Sequence, residues 1–272
     1  MSTEKRLVAI SADNYFLKLP RGTGTSAPGW RGSAPPNRPA WGAEVVSSNT
    51  VGYKKITLAG HNYNMLSPMF QKVGGGDKKI TDLFTDNDAF LSGGSDSEAD
   101  FIYLWYDGGY QEKYFFSADA DDKWSSDQDG FDETTDVMPE NAGFWLYNRD
   151  DEKEVIVAGE VPTGDIEIDV VGYNYTMVAN PFSAAIPVKS IVAAEGEFVS
   201  GGSDSEADYI YIWRNGAYDT KYFVSSDADD KWSSDQDGFD ETEDTIGPAE
   251  AFWFYRRGAA MKIKIPAPYT LQ

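Results

Sequence analysis

The strongest constraint on the fold is an internal duplication. Two polar segments, DADDKWSSDQDGFDET and SGGSDSEAD, each occur twice at an offset of 108 residues, at 119–134 and 227–242 and at 92–100 and 200–208. A third pair, GHNYNMLSPMF at 60–70 and GYNYTMVANPF at 172–182, repeats at an offset of 112. A repeat of about 110 residues is too long for a solenoid unit and has the size of a small domain. The sequence therefore predicts two homologous repeats.

The predicted division of the chain is an N-terminal arm of residues 1–42, a first repeat of residues 43–162 and a second of residues 163–272. The arm begins with the strand-like LVAISADNYFLKL at 7–19 and continues with a stretch rich in Pro, Gly and Ser, which favours an extended conformation. We expect it to be either a disordered linker or an arm that adds a strand to the open sheet edge of a neighbouring copy.

Each repeat has the pattern of antiparallel strands. The segments FIYLWY at 101–106 and YIYIW at 209–213 alternate aliphatic and aromatic residues with a period of two. Asp107-Gly108 and Asn215-Gly216 then supply the residues of type I′ hairpin turns, in which both central positions need positive φ. Further strands are expected at 54–58, 63–66, 143–147 and 155–157, and helix only as short pieces at 78–84 and 187–194. The expected fold is all-β, with two tandem sandwich-like or barrel-like repeats and short helical turns.

Composition excludes several classes of function. The 45 acidic residues against 23 basic ones give a net charge of −22, which disfavours nucleic acid and anionic membranes as partners. There is no cysteine, so disulfides, thiolate zinc sites and cysteine nucleophiles are absent. No apolar run is long enough for a transmembrane segment, and MSTEKRLVAI at the start has too short an apolar stretch for a secretory signal.

Catalytic signals are weak. His61 is the only histidine, and its counterpart in the second repeat is Tyr173, so a serine–histidine–carboxylate triad has a single candidate base. The chain holds no Walker A or dinucleotide-binding motif. Carboxylates are numerous, but no pair stands out in the apolar surroundings that a glycosidase acid needs. We therefore predict a non-catalytic protein.

The duplicated acidic loop has the spacing of a calcium loop. Counted from Ser125, its oxygen-bearing positions 1, 3, 5, 7, 9 and 12, with the carbonyl of a phenylalanine at position 7, match those of an EF-hand-like loop, and a glycine stands at position 6. The candidate ligands are Ser125, Asp127, Asp129, Phe131, Glu133 and Asp136 in the first repeat, and Ser233, Asp235, Asp237, Phe239, Glu241 and Asp244 in the second. Serine at position 1 and aspartate at position 12 depart from the pattern. The alternative is a solvated acidic turn.

A second acidic segment, GGSDSEAD, is also identical in both copies. Asp96, Glu98 and Asp100 alternate in it, so on a strand their side chains share one face, where they complete a cation site or protect an exposed edge.

The copies differ in how closely they match. The acidic loop is identical at all sixteen positions, the hairpin strands at eight of sixteen, and the late strand region at four of thirteen. Surface loops ordinarily vary more than core strands, so this order indicates a specific role for the loop side chains or a local gene conversion.

Paired tryptophans suggest an alternative function. Each repeat has three at matching positions, namely Trp105, Trp124 and Trp145 and then Trp213, Trp232 and Trp253. If exposed, such rings stack on sugars, which predicts a carbohydrate-binding adhesin; if buried, they pack in the core.

The motifs of each repeat resemble a module of uncharacterised secreted bacterial β-proteins. That pattern runs V-G-Y, then a G-x-N segment ending in N-P-F, then an aromatic hairpin, then G-F-W. It is matched here by Val51-Gly52-Tyr53, by GYNYTMVANPF and by Gly143-Phe144-Trp145, over residues 43–272. The first repeat departs from it, with Ser67-Pro68-Met69 where the second has Ala179-Asn180-Pro181. The resemblance implies an extracellular or cell-surface location and no catalytic residues.

Together these patterns predict a structural subunit of an extracellular or surface assembly, a filament or a surface layer. Its acidic loops bind calcium, and its arm pairs with other copies of the chain.

Overall fold

The computed structural model describes residues 50–95, 97–106, 108–118, 121–126, 132–202, 205–225, 230–234 and 240–269. The predicted arm of residues 1–42, and with it the predicted pairing to a neighbouring copy, lies outside the described residues.

The described chain is all-β, as predicted, with antiparallel pairing throughout its sheets. Its strands are β1 (Val51–Leu58), β2 (Asn62–Leu66), β3 (Phe101–Tyr106), β4 (Gly109–Ala118), β5 (Asp121–Ser125), β6 (Phe144–Asn148), β7 (Lys153–Glu160), β8 (Ile166–Val170), β9 (Tyr175–Ala179), β10 (Ile186–Pro187), β11 (Val192–Glu195), β12 (Tyr209–Arg214), β13 (Ala217–Val224), β14 (Lys231–Ser233), β15 (Thr245–Ile246), β16 (Ala251–Tyr255) and β17 (Met261–Ile265). The two segments predicted as short helices contain single 3₁₀ turns, Ile80–Asp82 and Val188–Ser190.

Two five-stranded sheets dominate the structure. The first has the order β2-β6-β3-β4-β5 and the second β9-β16-β12-β13-β14, so strands at matching sequence positions occupy matching places. In the second hairpin, Asn215 and Gly216 have φ values of 51° and 79°, which confirms the predicted type of turn. In the first hairpin Gly108 has φ 74°, while Asp107 lies outside the described residues.

Each large sheet is covered on one face by a smaller one. The aliphatic positions of β3 and β6, such as Ile102 and Leu146, pack against Ile56 of β1 and Val155 of β7, which form a two-stranded sheet. The second large sheet packs in the same way against the three-stranded sheet β11-β17-β8. Period-two alternation places the aliphatic side chains on this covered face, where each full burial stabilises the fold by about 1.5–3 kcal/mol.

The aromatic faces of the two large sheets meet each other. Trp105 lies 5.5 Å from Trp253, and Trp145 lies 5.5 Å from Trp213, measured between ring centroids. Backbone hydrogen bonds also join the two halves of the chain, from Ser67 N to Ala249 O (2.8 Å) and from Ala179 N to Asn141 O (2.9 Å). The two halves of the described chain therefore share a third apolar cluster besides the core of each half.

Gly143 shows how closely the halves approach. A Cβ added to this glycine would lie 2.3 Å from Cβ of Ala251, a distance that no side chain tolerates. The G-F-W motif thus begins with glycine because the second half of the chain packs directly on it.

Candidate functional site

The ends of the first acidic loop are held together by a polar network. Thr134 N donates to Trp124 O (2.7 Å), and Ser126 Oγ donates to Thr134 Oγ1 (3.1 Å) and to a carboxylate oxygen of Asp136 (3.4 Å). The Lys113 ammonium, almost fully buried on β4, lies 2.7 Å from the same carboxylate. The network fixes the point where the loop leaves β5 and returns.

The second loop has the same network with additional partners. Thr242 N donates to Trp232 O (2.8 Å), and Ser234 Oγ lies 3.1 Å from Thr242 Oγ1. The buried Lys221 ammonium donates to Ser234 Oγ (3.0 Å) and pairs with the carboxylates of Asp219 (2.6 Å) and Asp244. The hydrogen bond from Lys221 holds the pKa of Asp244 below its ordinary value.

The described members of the predicted calcium set lie in different environments. Ser125 and Ser233 are buried at the ends of β5 and β14, whereas Glu133 is exposed and Glu241 lies 3.6 Å from the Lys189 ammonium. Asp136 and Asp244, at position 12 of the loops, each pair with a buried lysine. Asp127, Asp129, Phe131, Asp235, Asp237 and Phe239 lie outside the described residues.

No metal centre is visible in the described part of the chain. Among these residues there is no group of three or more His, Cys, Asp or Glu side chains placed to hold an ion. Calcium binding by the loops therefore stays a prediction. Some of the residues that are identical in the two copies of the loop have a structural role instead. Trp124 and Trp232 are core residues, and the serine and threonine of each loop close its base.

The GGSDSEAD segments do not form strands in their described parts. Ser97 and Glu98 lie in a turn, and Ala99 separates them from Asp100, so Glu98 and Asp100 do not share one face of a strand as the alternation suggested. Glu98 instead accepts a hydrogen bond from Gly94 N (3.2 Å) and closes the turn. Asp96 lies outside the described residues.

Asp100 and Asp208 are buried anchors, a role that the sequence does not reveal. Asp100 is fully buried and accepts hydrogen bonds from Leu91 N (2.9 Å), Arg149 N (2.7 Å) and the Lys153 ammonium (2.8 Å). Asp208 is equally buried, accepts from Val199 N and Arg257 N, and pairs with Arg256. The signal that pointed to them was their identical place at the end of both segments.

Burial removes four of the six paired tryptophans from the predicted sugar platform. Trp124 and Trp232 have 1% and 2% of their surface exposed, and Trp145 and Trp253 have 7%. A ring must present a face to solvent to stack on a sugar, so these four belong to the core. Trp105 and Trp213 are half-buried.

His61 is an exposed turn residue. It lies in the turn between β1 and β2 with φ 50°, its side chain is 69% exposed, and Nε2 is 3.6 Å from Asp151. The sequence places His61 in an aromatic-rich stretch, where a lone imidazole more often packs in the core, and the exposed side chain shows that this one does not.

A groove of about 510 Å³ lies where the two halves of the chain meet. One wall comes from the end of β3 and the 139–142 turn, and the other from β8 and β9. Its aromatic lining consists of Trp105, Tyr106 and Tyr175, and exposed Glu140, Glu167 and Asp169 add three carboxylates. We call this the junction groove.

A second pocket, of about 420 Å³, contains a partly buried lysine. Lys78 Nζ donates to the carbonyls of Pro68 (2.9 Å) and Phe70 (3.2 Å). Burial lowers its pKa to about 8, with Asp82 acting in the opposite direction. Because two of its three donors hold backbone carbonyls, Lys78 fixes the loop after β2.

Comparisons with known proteins identify no relative. No protein-family model, no curated protein and no solved structure matches the chain. Among the described residues, no helix is long and apolar enough to cross a membrane.

Proposed function

We propose that the protein is a non-catalytic structural subunit of an extracellular or cell-surface assembly, a filament or a surface layer. In this proposal two tandem homologous sandwich-like repeats form a rigid body, calcium rigidifies the acidic loops, and residues 7–19 pair with a sheet edge of a neighbouring copy. Support for the repeats comes from the matching strand orders of the two large sheets and from the matching loop networks.

The proposed self-assembly is supported mainly by the unpaired outer edge of β1. This eight-residue strand pairs with β7 on one side, and no described residue pairs with its other side. Such an edge presents a row of free N–H and C=O groups, which is the template that an added strand uses.

The direction of the backbone groups on β1 follows from its partner. Ile156 O accepts from Thr85 N (2.9 Å) and Glu160 bonds Gln71, so these residues of β7 face away from β1. Their register partners on β1 are Lys55 and Val51, and residues two apart share a direction. Residues 51, 53, 55 and 57 of β1 therefore direct their backbone groups toward the free edge.

Thr57→Pro in the full chain tests this edge, because proline removes one outward N–H while edge strands tolerate it. We expect self-association to weaken about tenfold, measured by analytical ultracentrifugation with calcium present, since a lost pairing bond also distorts its neighbours. Thr57→Ala keeps the N–H and is the matched control. Equal association of wild type, Thr57→Pro and Thr57→Ala would remove β1 as the acceptor edge.

Glycan binding, the alternative function, loses support from the burial of Trp124 and Trp232. The junction groove still supports glycan binding, because half-buried Trp105 lies there beside carboxylates that can accept hydrogen bonds from sugar hydroxyls.

A further inference from the structure

The junction groove has an acidic rim. Glu140, Glu167 and Asp169 are exposed, and among the described residues none of them forms an ion pair within 4 Å. Lys264 and Lys262 of β17 lie opposite Glu167 and Asp169 in the strand register, so the carboxylate of the rim with no lysine opposite it in that register is Glu140. Three exposed carboxylates along one groove still attract a cationic ligand, because the described chain as a whole is strongly acidic.

The aromatic wall of the groove is held in place by its neighbours. Trp105 packs against Tyr110, with ring centroids 4.9 Å apart, and against Trp253 at 5.5 Å. Tyr175 is fixed by a hydroxyl–hydroxyl hydrogen bond to Tyr209 (2.6 Å) and by ring contact with Tyr255 at 4.7 Å. A ligand therefore meets aromatic surfaces that are already positioned, which lowers the entropy cost of binding.

Aromatic side chains next to carboxylates suit an extended peptide rich in proline and arginine. Proline favours the polyproline II conformation before binding, and such segments dock in aromatic-lined grooves. An arginine in the peptide then pairs with the carboxylates through its planar guanidinium.

The chain itself carries a segment of this kind. Residues 34–41 read APPNRPAW, with proline at 35, 36 and 39, Arg38 between them and Trp41 at the end. Residues 1–49 hold six Lys or Arg and three Asp or Glu, a net charge of +3, which leaves −25 for the rest of a chain whose total is −22. The basic segment thus complements the acidic groove in charge, and its prolines favour the extended conformation that an aromatic-lined groove binds.

Residues 34–41 can reach the junction groove of their own chain, because the described chain begins at Thr50, close to the groove. Thr50 O accepts a hydrogen bond from Val161 N (2.9 Å), and Glu167 of the groove follows Val161 by six residues, which span at most about 20 Å. Trp41 precedes Thr50 by nine residues, which span up to about 30 Å when extended.

From these contacts and charges we infer that residues 34–41 dock in the junction groove of their own chain, with Arg38 facing Glu167 and Asp169. Docking anchors the base of the arm and leaves residues 7–19 to reach a neighbour. The inference does not depend on assembly, because the groove and the segment belong to one molecule.

Hydroxyl-radical footprinting of the full chain tests this docking. Trp41 should oxidise about threefold more slowly than Trp30, which lies in the same arm outside the segment. Arg38→Glu and Glu167→Arg should each raise Trp41 oxidation to the rate of Trp30, and the double variant should restore protection. Arg21→Glu in the arm and Glu195→Arg on β11 are the matched charge controls, with circular dichroism to verify folding.

Three results would overturn the docking. One is equal oxidation of Trp41 and Trp30 in the wild type. Another is protection that disappears on dilution by about a hundredfold, which would assign the segment to the groove of another copy. The third is a groove occupied by sugar, shown by glycan-array binding that Trp105→Ala abolishes and that Arg38→Glu leaves unchanged, which would make the groove a sugar site. If the protein did not self-associate but Trp41 remained protected, the result would contradict the proposed assembly and leave the docking of residues 34–41 intact.

Discussion

Asp100 and Asp208 show how single residues of this acidic chain carry its architecture. Each is fully buried and satisfied by two backbone N–H groups and a cationic side chain. Burying a carboxylate is costly unless it is paired and hydrogen-bonded, so these partners explain why an aspartate is tolerated there. The buried lysines Lys113 and Lys221 serve the acidic loops in the same way.

The two buried lysines allow a matched test at the residue scale. Lys221 contacts Asp219, Asp244 and Ser234, whereas Lys113 has Asp136 as its described partner. We expect Lys221→Met to lower the free energy of unfolding by about 2 kcal/mol and Lys113→Met by about 1 kcal/mol, because the ion pairs are lost. The losses stay this small because the half-exposed carboxylates become hydrated when the ammonium is removed. Urea denaturation near pH 7 measures both.

The pH dependence supplies the control for this prediction. Lys221 holds the pKa of Asp244 below its ordinary value of 3.8, so the pairing contributes fully above that pH and is lost as pH falls through the lower folded value. The deficit of Lys221→Met relative to wild type should therefore shrink below pH 3.8. A deficit that persists unchanged in acid would show that packing, rather than the ion pair, accounts for the loss.

At the scale of elements, the hairpins test the turn chemistry. Gly216 has φ 79°, and a Cβ there would meet no atom within 4 Å, so substitution is strained by conformation alone. We expect Gly216→Ala to lower the free energy of unfolding by about 1 kcal/mol. Gly164, which also has open space around it, is the matched control, and Gly164→Ala should be close to neutral. Equal effects of the two substitutions would contradict a left-handed turn.

Strands and turns were predictable because their signals are local. Period-two alternation gave β3 and β12, and Asn215-Gly216 gave the second hairpin turn, within a residue or two of the observed bounds. The order of strands in each large sheet was not predictable, because pairs such as β2 with β6 are some 80 residues apart. The turn at Glu98 escaped prediction since alternating acids look the same in a turn and in a strand.

The candidate site shows the same limit. The spacing of the acidic loop was readable, but the pairing of Asp136 with Lys113 depends on a strand that lies elsewhere in the sequence. Likewise the junction groove joins Trp105 to Glu167, which only the packing of the two halves brings together.

At the scale of the whole molecule, the net negative charge opposes both the compact fold and the proposed assembly. The chain carries a net charge of −22, and like charge disfavours both a compact body and close contact between copies. Bound calcium would relieve this repulsion at the loops, and the basic arm would relieve it between molecules. The proposed assembly therefore needs both the ion and the arm.

Sedimentation of the full chain with calcium and with excess chelator tests the proposed calcium-dependent assembly most directly. We predict large particles with calcium, visible as filaments or sheets by electron microscopy, and monomers after chelation, with magnesium as the control cation. A chain that sediments as the same monomer in calcium, magnesium and chelator would contradict the proposed function.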